Sequence, residues 1–335
     1  MPSPQDAMKR ISPADIESAA ARLQGVSIRT PLIENARLND RVGGRVLIKA
    51  ECLQRTGSFK IRGAYNRLSR LTEAEKALGV VAFSSGNHAQ GVAEAARRLG
   101  IKARIVMPKD APPMKRENTL SLGGEVILYD RYQENRESIA RDLCAESGAI
   151  LVPSYDDPFI IAGQGTVGLE IVQQMTARDI RPDAALLPVG GGGLMAGSAT
   201  ALKHDFGSLA IFGVEPEGFD DTARSLRLGE RVTNAADARS ICDALLSPSP
   251  GLLTFDHNMR LLDGGLAVSD AEVIDAMRFA FEQLKLVVEP GGAVALAALL
   301  SGRFDARGRT VAIVLSGGNI GIQSFYGHIK QNIEL

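Results

Sequence analysis

Residues 184–202 read Ala-Ala-Leu-Leu-Pro-Val-Gly-Gly-Gly-Gly-Leu-Met-Ala-Gly-Ser-Ala-Thr-Ala-Leu and carry no charge. The run is about long enough to cross a bilayer as a helix. Pro188 and the glycines Gly190 to Gly193 interrupt it, so the pattern is a buried strand, a turn and the start of a helix rather than a span. Consecutive residues without Cβ let backbone N–H groups approach an anion closely, and the helix dipole adds to the attraction. The turn therefore reads as a phosphate cradle, with the kind of phosphate left open. Gly191, Gly193 and Ala196 also satisfy the G-x-G-x-x-A variant of the dinucleotide fingerprint, and Glu215 ends the next strand where a ribose ligand would sit. NAD-dependent oxidoreduction is thus a competing reading of this motif, although it leaves Lys60 and Ser316 without a role.

The same rhythm of apolar strand, glycine-containing turn and helix repeats along the chain. Strands are expected at Val80–Phe83, Arg104–Met107, Val126–Tyr129, Ile150–Val152, Ala185–Val189, Ala210–Val214 and Thr310–Leu315. Helices are expected near 88–99, 113–122, 134–147, 164–176, 194–203, 270–284 and 292–301. Ser12 and Pro13 open an earlier helix that Gly25 stops, Thr30 to Leu32 is extended, and Val46–Ala50 is a short strand. Such alternation predicts an α/β protein with parallel sheets flanked by helices. The polar, proline-bearing stretch Pro153 to Phe159 is the expected boundary between two series.

At 335 residues the length suggests two domains. A net charge of −1, from 38 basic and 39 acidic residues, argues against nucleic acid and anionic membrane, so the default partner is a small molecule. Cys52, Cys144 and Cys242 are odd in number and far apart, as in a reducing compartment. Met1 to Arg10 are polar and lack the apolar core of an export signal, so a cytoplasmic location is expected.

Four further segments carry chemistry-bearing side chains. Thr56 to Leu68 sets Gly57 and Ser58 as turn formers before Lys60, then Ile61, Ala64, Tyr65 and Leu68 at helical spacing. Lys60 thus opens a helix, where the positive end of the dipole favours a neutral, nucleophilic amine suited to imine chemistry; position alone also fits a lysine at a solvated helix start. Ser84-Ser85-Gly86-Asn87-His88 lies between a strand and a helix and can bind a carboxylate or phosphate, or only cap its helix. Ser316-Gly317-Gly318-Asn319 follows an apolar strand. Glu215 and Asp221, with a carbonyl between them, suit a hard cation such as Mg²⁺ or Ca²⁺, though acidic loops are usually only solvated.

Together these motifs resemble the fold type II pyridoxal phosphate (PLP) enzymes, the group of threonine and serine dehydratases and serine racemase, over nearly the whole chain. The resemblance implies a two-domain, tryptophan synthase β-like fold, with residues 1–78 and 157–335 forming the large domain and 79–156 a small mobile one. It implies PLP on Lys60, its phosphate in Gly190 to Gly193, its phenolic oxygen on Asn87, its pyridine nitrogen against Ser316, and Phe59 beside the ring. Ser84, Ser85 and His88 would hold the substrate carboxylate, and Arg136 resembles the racemase arginine near the substrate, although its spacing is that of a surface position. It further implies a divalent ion on Glu215, the Phe219 carbonyl and Asp221.

The expected reaction is removal of water and then ammonia from a small β-hydroxy amino acid such as serine, threonine or 3-hydroxyaspartate. A serine against the pyridine nitrogen does not hold it protonated, which makes the ring a weaker electron sink and favours prompt loss of a β-substituent. Ser85 stands where threonine dehydratases usually have alanine and serine racemases have a serine acting opposite the lysine, so racemisation is the alternative. The side-chain pocket is expected from loops near Phe159, Leu246–Leu253 and Gly291. The family's habit implies a homo-oligomer, dimer or tetramer.

Overall fold

The computed structural model describes residues 10–330; the expectation about an export signal falls outside them except at Arg10. A capping box between Ser12 and Asp15, with Pro13 in the first position, starts helix α1 (Pro13–Arg22). Strand β1 (Leu32–Glu34), helix α2 (Ala36–Val42), strand β2 (Arg45–Ala50) and helices α3 (Lys60–Leu68) and α4 (Glu73–Leu78) follow. The next stretch alternates strictly: β3 (Val80–Phe83), α5 (Asn87–Leu99), β4 (Ala103–Pro108), α6 (Pro113–Ser121), β5 (Glu125–Tyr129), α7 (Arg136–Ser147) and β6 (Ile150–Leu151). A second series runs through α8 (Pro158–Thr176), β7 (Ala184–Pro188), α9 (Gly193–Asp205), β8 (Ala210–Pro216) and α10 (Asp221–Leu228). It ends with α11 (Leu252–Leu261), β9 (Gly264–Val268), α12 (Asp270–Phe279), α13 (Pro290–Leu300), β10 (Thr310–Leu315) and α14 (Ile322–Ile329).

The strands form two sheets, one of six in the order β1-β2-β10-β7-β8-β9 and one of four in the order β5-β4-β3-β6. Every pairing is parallel except that of β1 with β2, an antiparallel edge that the expectation of parallel sheets did not include. Near-continuous apolar strands such as Val311–Leu315 and Ala184–Leu187 are buried on both faces, as a parallel sheet requires. One face of the larger sheet packs with Val294, Leu296 and Met277, the other with Val167, Ile171 and Leu202. The smaller sheet is likewise covered on both sides, by Val92 and Ala96 on one and Ala140 on the other.

Boundaries moved where a cap overrode periodicity. Asp157 caps α8 through the N–H groups of Phe159 and Ile160, so that helix begins well before 164. Asn135 caps α7, which therefore starts at Arg136. The helix expected over 270–284 ends at Phe279 and continues as a π-helical turn, Ala280–Leu284, closed by Lys285 with φ of 59°.

Candidate active site

A buried ionic cluster fixes where Lys60 points. Arg62, fully buried on α3, donates from Nε and Nη2 to both oxygens of Glu51 at 2.8 Å, and from Nη1 to Glu170 on α8 at 2.7 Å. Lys49 completes the set with a 2.6 Å contact to Glu170. Two cations thus face two carboxylates, which is how buried charge is tolerated. They pin the first turn of α3 between β2 and α8.

Lys60 opens that helix and lines a cavity of about 600 Å³. Its Nζ donates to the carbonyl oxygen of Ser154 at 2.8 Å and lies 5.1 Å from the Phe59 ring centroid. Burial pulls the amine down to about 8. The direction is that expected from the sequence, and burial is a cause the sequence reading did not include.

The cavity lies beyond the carboxyl ends of strands from both sheets, where open parallel sheets bind ligands. Ser84 to His88 follow β3, Ser154 to Asp156 follow β6, Gly190 to Gly193 follow β7 and Ser316 follows β10; all line it. Helices α5 and α9 begin here with glycine N-caps, Gly86 and Gly192, that supply no side-chain cap. First-turn N–H groups of two helices are therefore available to anions in one cavity. By contrast, α11, at the rim, has its first N–H groups taken up by the Asp156 carboxylate, which accepts from Leu252, Leu253 and Thr254.

The glycine turn admits no side chain. A Cβ on Gly191 would stand 2.2 Å from the Tyr155 ring, and one on Gly193 2.5 Å from Gln164 Oε1. Gly192 has φ of 93°, in the left-handed region. An amine of lowered basicity facing an uncapped glycine turn fits an aldehyde-bearing phosphate such as PLP.

Around that turn, His88 is neutral: burial first, then the charge of Lys60, lower it to about 3. Its Nε2 lies 3.1 Å from the Val152 carbonyl, which can only accept, so Nδ1 carries the lone pair and is buried with no partner among the described residues. The Ser84 hydroxyl accepts from the Gly86 N–H at 3.1 Å. Phe59 N–H donates to the Ser316 carbonyl at 3.2 Å, tying the lysine motif to the last strand. Arg136 is exposed at the mouth, its guanidinium 5.2 Å from the Phe83 ring centroid; it is both a surface residue and a wall of the cavity.

The structure thus gathers Phe59, Lys60, Ser84, Ser85, Asn87, His88, Arg136, Gly190 to Gly193 and Ser316 around one space. Residues 246–252 line it as expected, as do Ser154 to Asp156 of the loop near Phe159, but Leu253, Gly291 and Phe159 itself do not. Phe159 faces away, with the Arg70 guanidinium 4.1 Å from its ring centroid, and Gly291 abuts Leu245. Lys115, Asp243 and Tyr155 also line the cavity and carried no sequence signal. Only Pro113 at the helix start marks the surroundings of Lys115.

Glu215 and Asp221 lie outside this cavity. Glu215 is fully buried and accepts from the N–H groups of Thr222 and Ala223 at 2.9 and 2.8 Å, so it caps α10 and is not free to hold a ribose. The dinucleotide reading of the glycine turn fails on that point. Burial and then the neighbouring Asp221 push Glu215 well above the usual carboxylate range, and burial brings Asp221 to about 6. Asp221 Oδ1 accepts from Asn234 Nδ2 at 2.6 Å, while Oδ2 is buried with no partner among the described residues. Of the four carboxylate oxygens of this pair, Asp221 Oδ2 is the one that accepts no hydrogen bond among the described residues. No group of three or more His, Cys, Asp or Glu side chains suited to a metal occurs among the described residues.

Comparison with known proteins gives one consistent result. The family described as pyridoxal-phosphate dependent enzyme matches residues 23–317. An L-threo-3-hydroxyaspartate ammonia-lyase from Pseudomonas sp is 43% identical over 94% of this chain and 98% of its own length. The crystal structure of the threonine deaminase from T.th. superposes with a TM-score of 0.87 at 44% identity, covering 93% of this chain and 99% of that one. Maize serine racemase superposes with a TM-score of 0.89 at 37% identity, covering 96% and 99%.

Proposed function

Since the chain belongs to the pyridoxal-phosphate dependent enzyme family, we propose that it is an ammonia-lyase converting a small β-hydroxy amino acid to a 2-keto acid and ammonia. The observation that carries this reading is the meeting of the Lys60 amine with two uncapped helix N-termini in one cavity. PLP, when bound, supplies an aldehyde for amino groups and a conjugated ring that takes up the electron pair of a lost Cα proton. Lys60 would hold it covalently, with Gly190 to Gly193, Asn87, Ser316 and Phe59 around it.

Lys60 Nζ, as a free amine, would take the Cα proton and pass it to the departing β-hydroxyl, which leaves as water; one water then hydrolyses the released enamine product to the 2-keto acid and ammonia. The N–H groups at the start of α5, with Ser84, Ser85 and neutral His88, receive the substrate carboxylate without adding a competing anion. Residues 79–156, as the smaller domain, close over the cavity against the larger one formed by 1–78 and 157–335.

Within this class the cavity mouth favours a substrate with a second carboxylate, of the 3-hydroxyaspartate type. Arg136 and Arg141 line it, and among the described residues neither has an ion-pair partner. Arg231, also lining it, donates to the Pro250 carbonyl at 2.8 Å and the Ser249 hydroxyl at 3.3 Å and has no ion-pair partner among the described residues. Serine and threonine bring no second carboxylate to those guanidinium groups.

Racemisation is the second reading, supported by Lys60 and Ser85 lining the same cavity. Deuterium appearing in D-serine formed from L-serine supports it; pyruvate release without that label sinks it. We further place the enzyme in the cytoplasm as a homo-oligomer, dimer or tetramer, with Mg²⁺ or Ca²⁺ on Glu215, the Phe219 carbonyl and Asp221. Its three free cysteines suit a reducing compartment.

The test is keto-acid release from L- and D-serine, threonine and 3-hydroxyaspartate, with Lys60→Ala as control. Turnover of 3-hydroxyaspartate above the others, abolished in the control, is expected. Turnover that survives in Lys60→Ala would overturn the assignment.

A further inference from the structure

The side-chain amide of Asn87 is held at both ends. Its Nδ2 donates to Glu289 Oε1, and its Oδ1 accepts from Asn319 Nδ2 at 2.8 Å. Turning the amide over would set two NH₂ groups against each other and a carbonyl against a carboxylate, so one orientation is selected. Asn319 is itself fixed by donating to the Thr56 carbonyl at 2.8 Å.

Glu289 is fully enclosed, and its second oxygen faces Lys115 Nζ at 3.1 Å. Lys115 also meets Asp243 Oδ2 at 2.7 Å. Burial pushes the Glu289 carboxyl up, and the Lys115 ammonium is the strongest influence opposing it. Lys115 sits on α6, in the layer of the four-stranded sheet, whereas Asp243 and Glu289 lie in segments packed on the larger sheet. Two glycines leave room for this chain of contacts. A Cβ on Gly86 would stand 2.7 Å from Lys115 Cδ, and one on Gly317 2.1 Å from Glu289 Oε1.

We propose that Lys115 is a positioning residue for Asn87: its pairing with Glu289 keeps that carboxylate an acceptor only, and so holds the Asn87 amide in the single orientation presented to the cofactor. The inference rests on the reading above, in which Asn87 faces PLP. Without the ammonium, an enclosed Glu289 beside Asp243 takes up a proton. Its new O–H can then donate to the Asn87 carbonyl, and the two amide orientations become comparable.

The test uses the full-length protein. Cofactor-stripped Lys115→Met should bind PLP roughly tenfold more weakly by fluorescence titration, the loss expected for a charge-assisted hydrogen bond, and the absorption maximum of its bound PLP should move. Lys115→Arg keeps the charge and should restore the wild-type spectrum even if Lys115→Met melts early. Asp243→Asn, which leaves the Lys115–Glu289 pair in place, should also keep it. Glu289→Gln replaces the carboxylate with an amide that cannot take up a proton, and once Lys115 is removed its single carbonyl is free to accept from Asn87. In that background Lys115→Met should not weaken PLP binding by more than about twofold, the near-additive scatter of uncoupled sites.

An equal tenfold loss in both backgrounds would make Lys115 a strut between layers and overturn the proposal alone. Wild-type affinity and spectrum in Lys115→Met overturn it as well. Absence of a borohydride-fixed PLP adduct on Lys60 in the wild type instead overturns the underlying reading, and the proposal with it.

Discussion

The Lys60 amine donates to the Ser154 carbonyl at 2.8 Å, so the strand-end segment after β6 holds the group that opens α3. Burial brings this amine from 10.5 to about 8. Between those values the folded protein keeps Lys60 neutral while the unfolded chain stays protonated, so its contribution to stability improves as pH rises through that window. In cofactor-free protein, acetylation of Lys60 by acetic anhydride, read by peptide mass spectrometry, should rise with a midpoint near pH 8. A midpoint like that of the exposed lysines would contradict the burial argument.

Gly191→Ala should empty the cofactor site. Its methyl would stand 2.2 Å from the Tyr155 ring, and overpacking of this kind costs about 1–3 kcal/mol. PLP retained after desalting, read from absorbance per chain, should fall about tenfold. Adding Tyr155→Ala should recover part of it. Equal loss with and without Tyr155 would locate the fault elsewhere.

Arg62→Met should cost about 3–5 kcal/mol in urea unfolding, because Glu51 is left buried with no guanidinium to match it. A cost under about 1 kcal/mol, the range of exposed pairs, would show that the cluster is less enclosed than the structure has it.

The Glu215–Asp221 pair predicts a sign that is easily checked. Asp221 is raised from 3.8 to about 6, so its contribution to folding falls as pH rises through that window and stays unfavourable above it. Asp221→Asn should therefore raise the melting temperature at about pH 7.5 in chelator. Mg²⁺ or Ca²⁺ should raise the wild type and do little for the variant. Identical melting of both proteins with and without cation would dismiss the metal site.

Strands of the parallel sheets were legible because each is a short apolar run bounded by glycine or proline, as in Val80–Phe83 and Ala184–Pro188. Strand β9 was not: Gly264 and Gly265 begin it, and it is held at the sheet edge by register with Phe212 and Gly213 rather than by its own composition. Helix α4 had a readable capping box in Thr72 and Glu75 that periodicity alone passes over. In the site, residues borne on glycine turns announced themselves. Lys115, Asp243 and Glu289 did not, since their meaning lies in contacts across more than a hundred residues of chain. The loop near Phe159 does reach the cavity through Tyr155 and Asp156, while Phe159 itself packs under Arg70.

Strand β10 lies at the centre of the larger sheet, hydrogen-bonded on one side to β2 and on the other to β7. A ribosome emits β2 early and β10 near the finish, so the β1–β2 ribbon must wait through most of translation for its neighbour. At about 5–20 residues per second that is a delay of tens of seconds. The four-stranded sheet, whose strands all lie between residues 80 and 151, needs no such wait and can consolidate while synthesis continues. A nascent chain stalled before residue 310 would therefore carry one finished layer and one with unpaired edges, open to holdase chaperones and with its Ser316 wall still unmade.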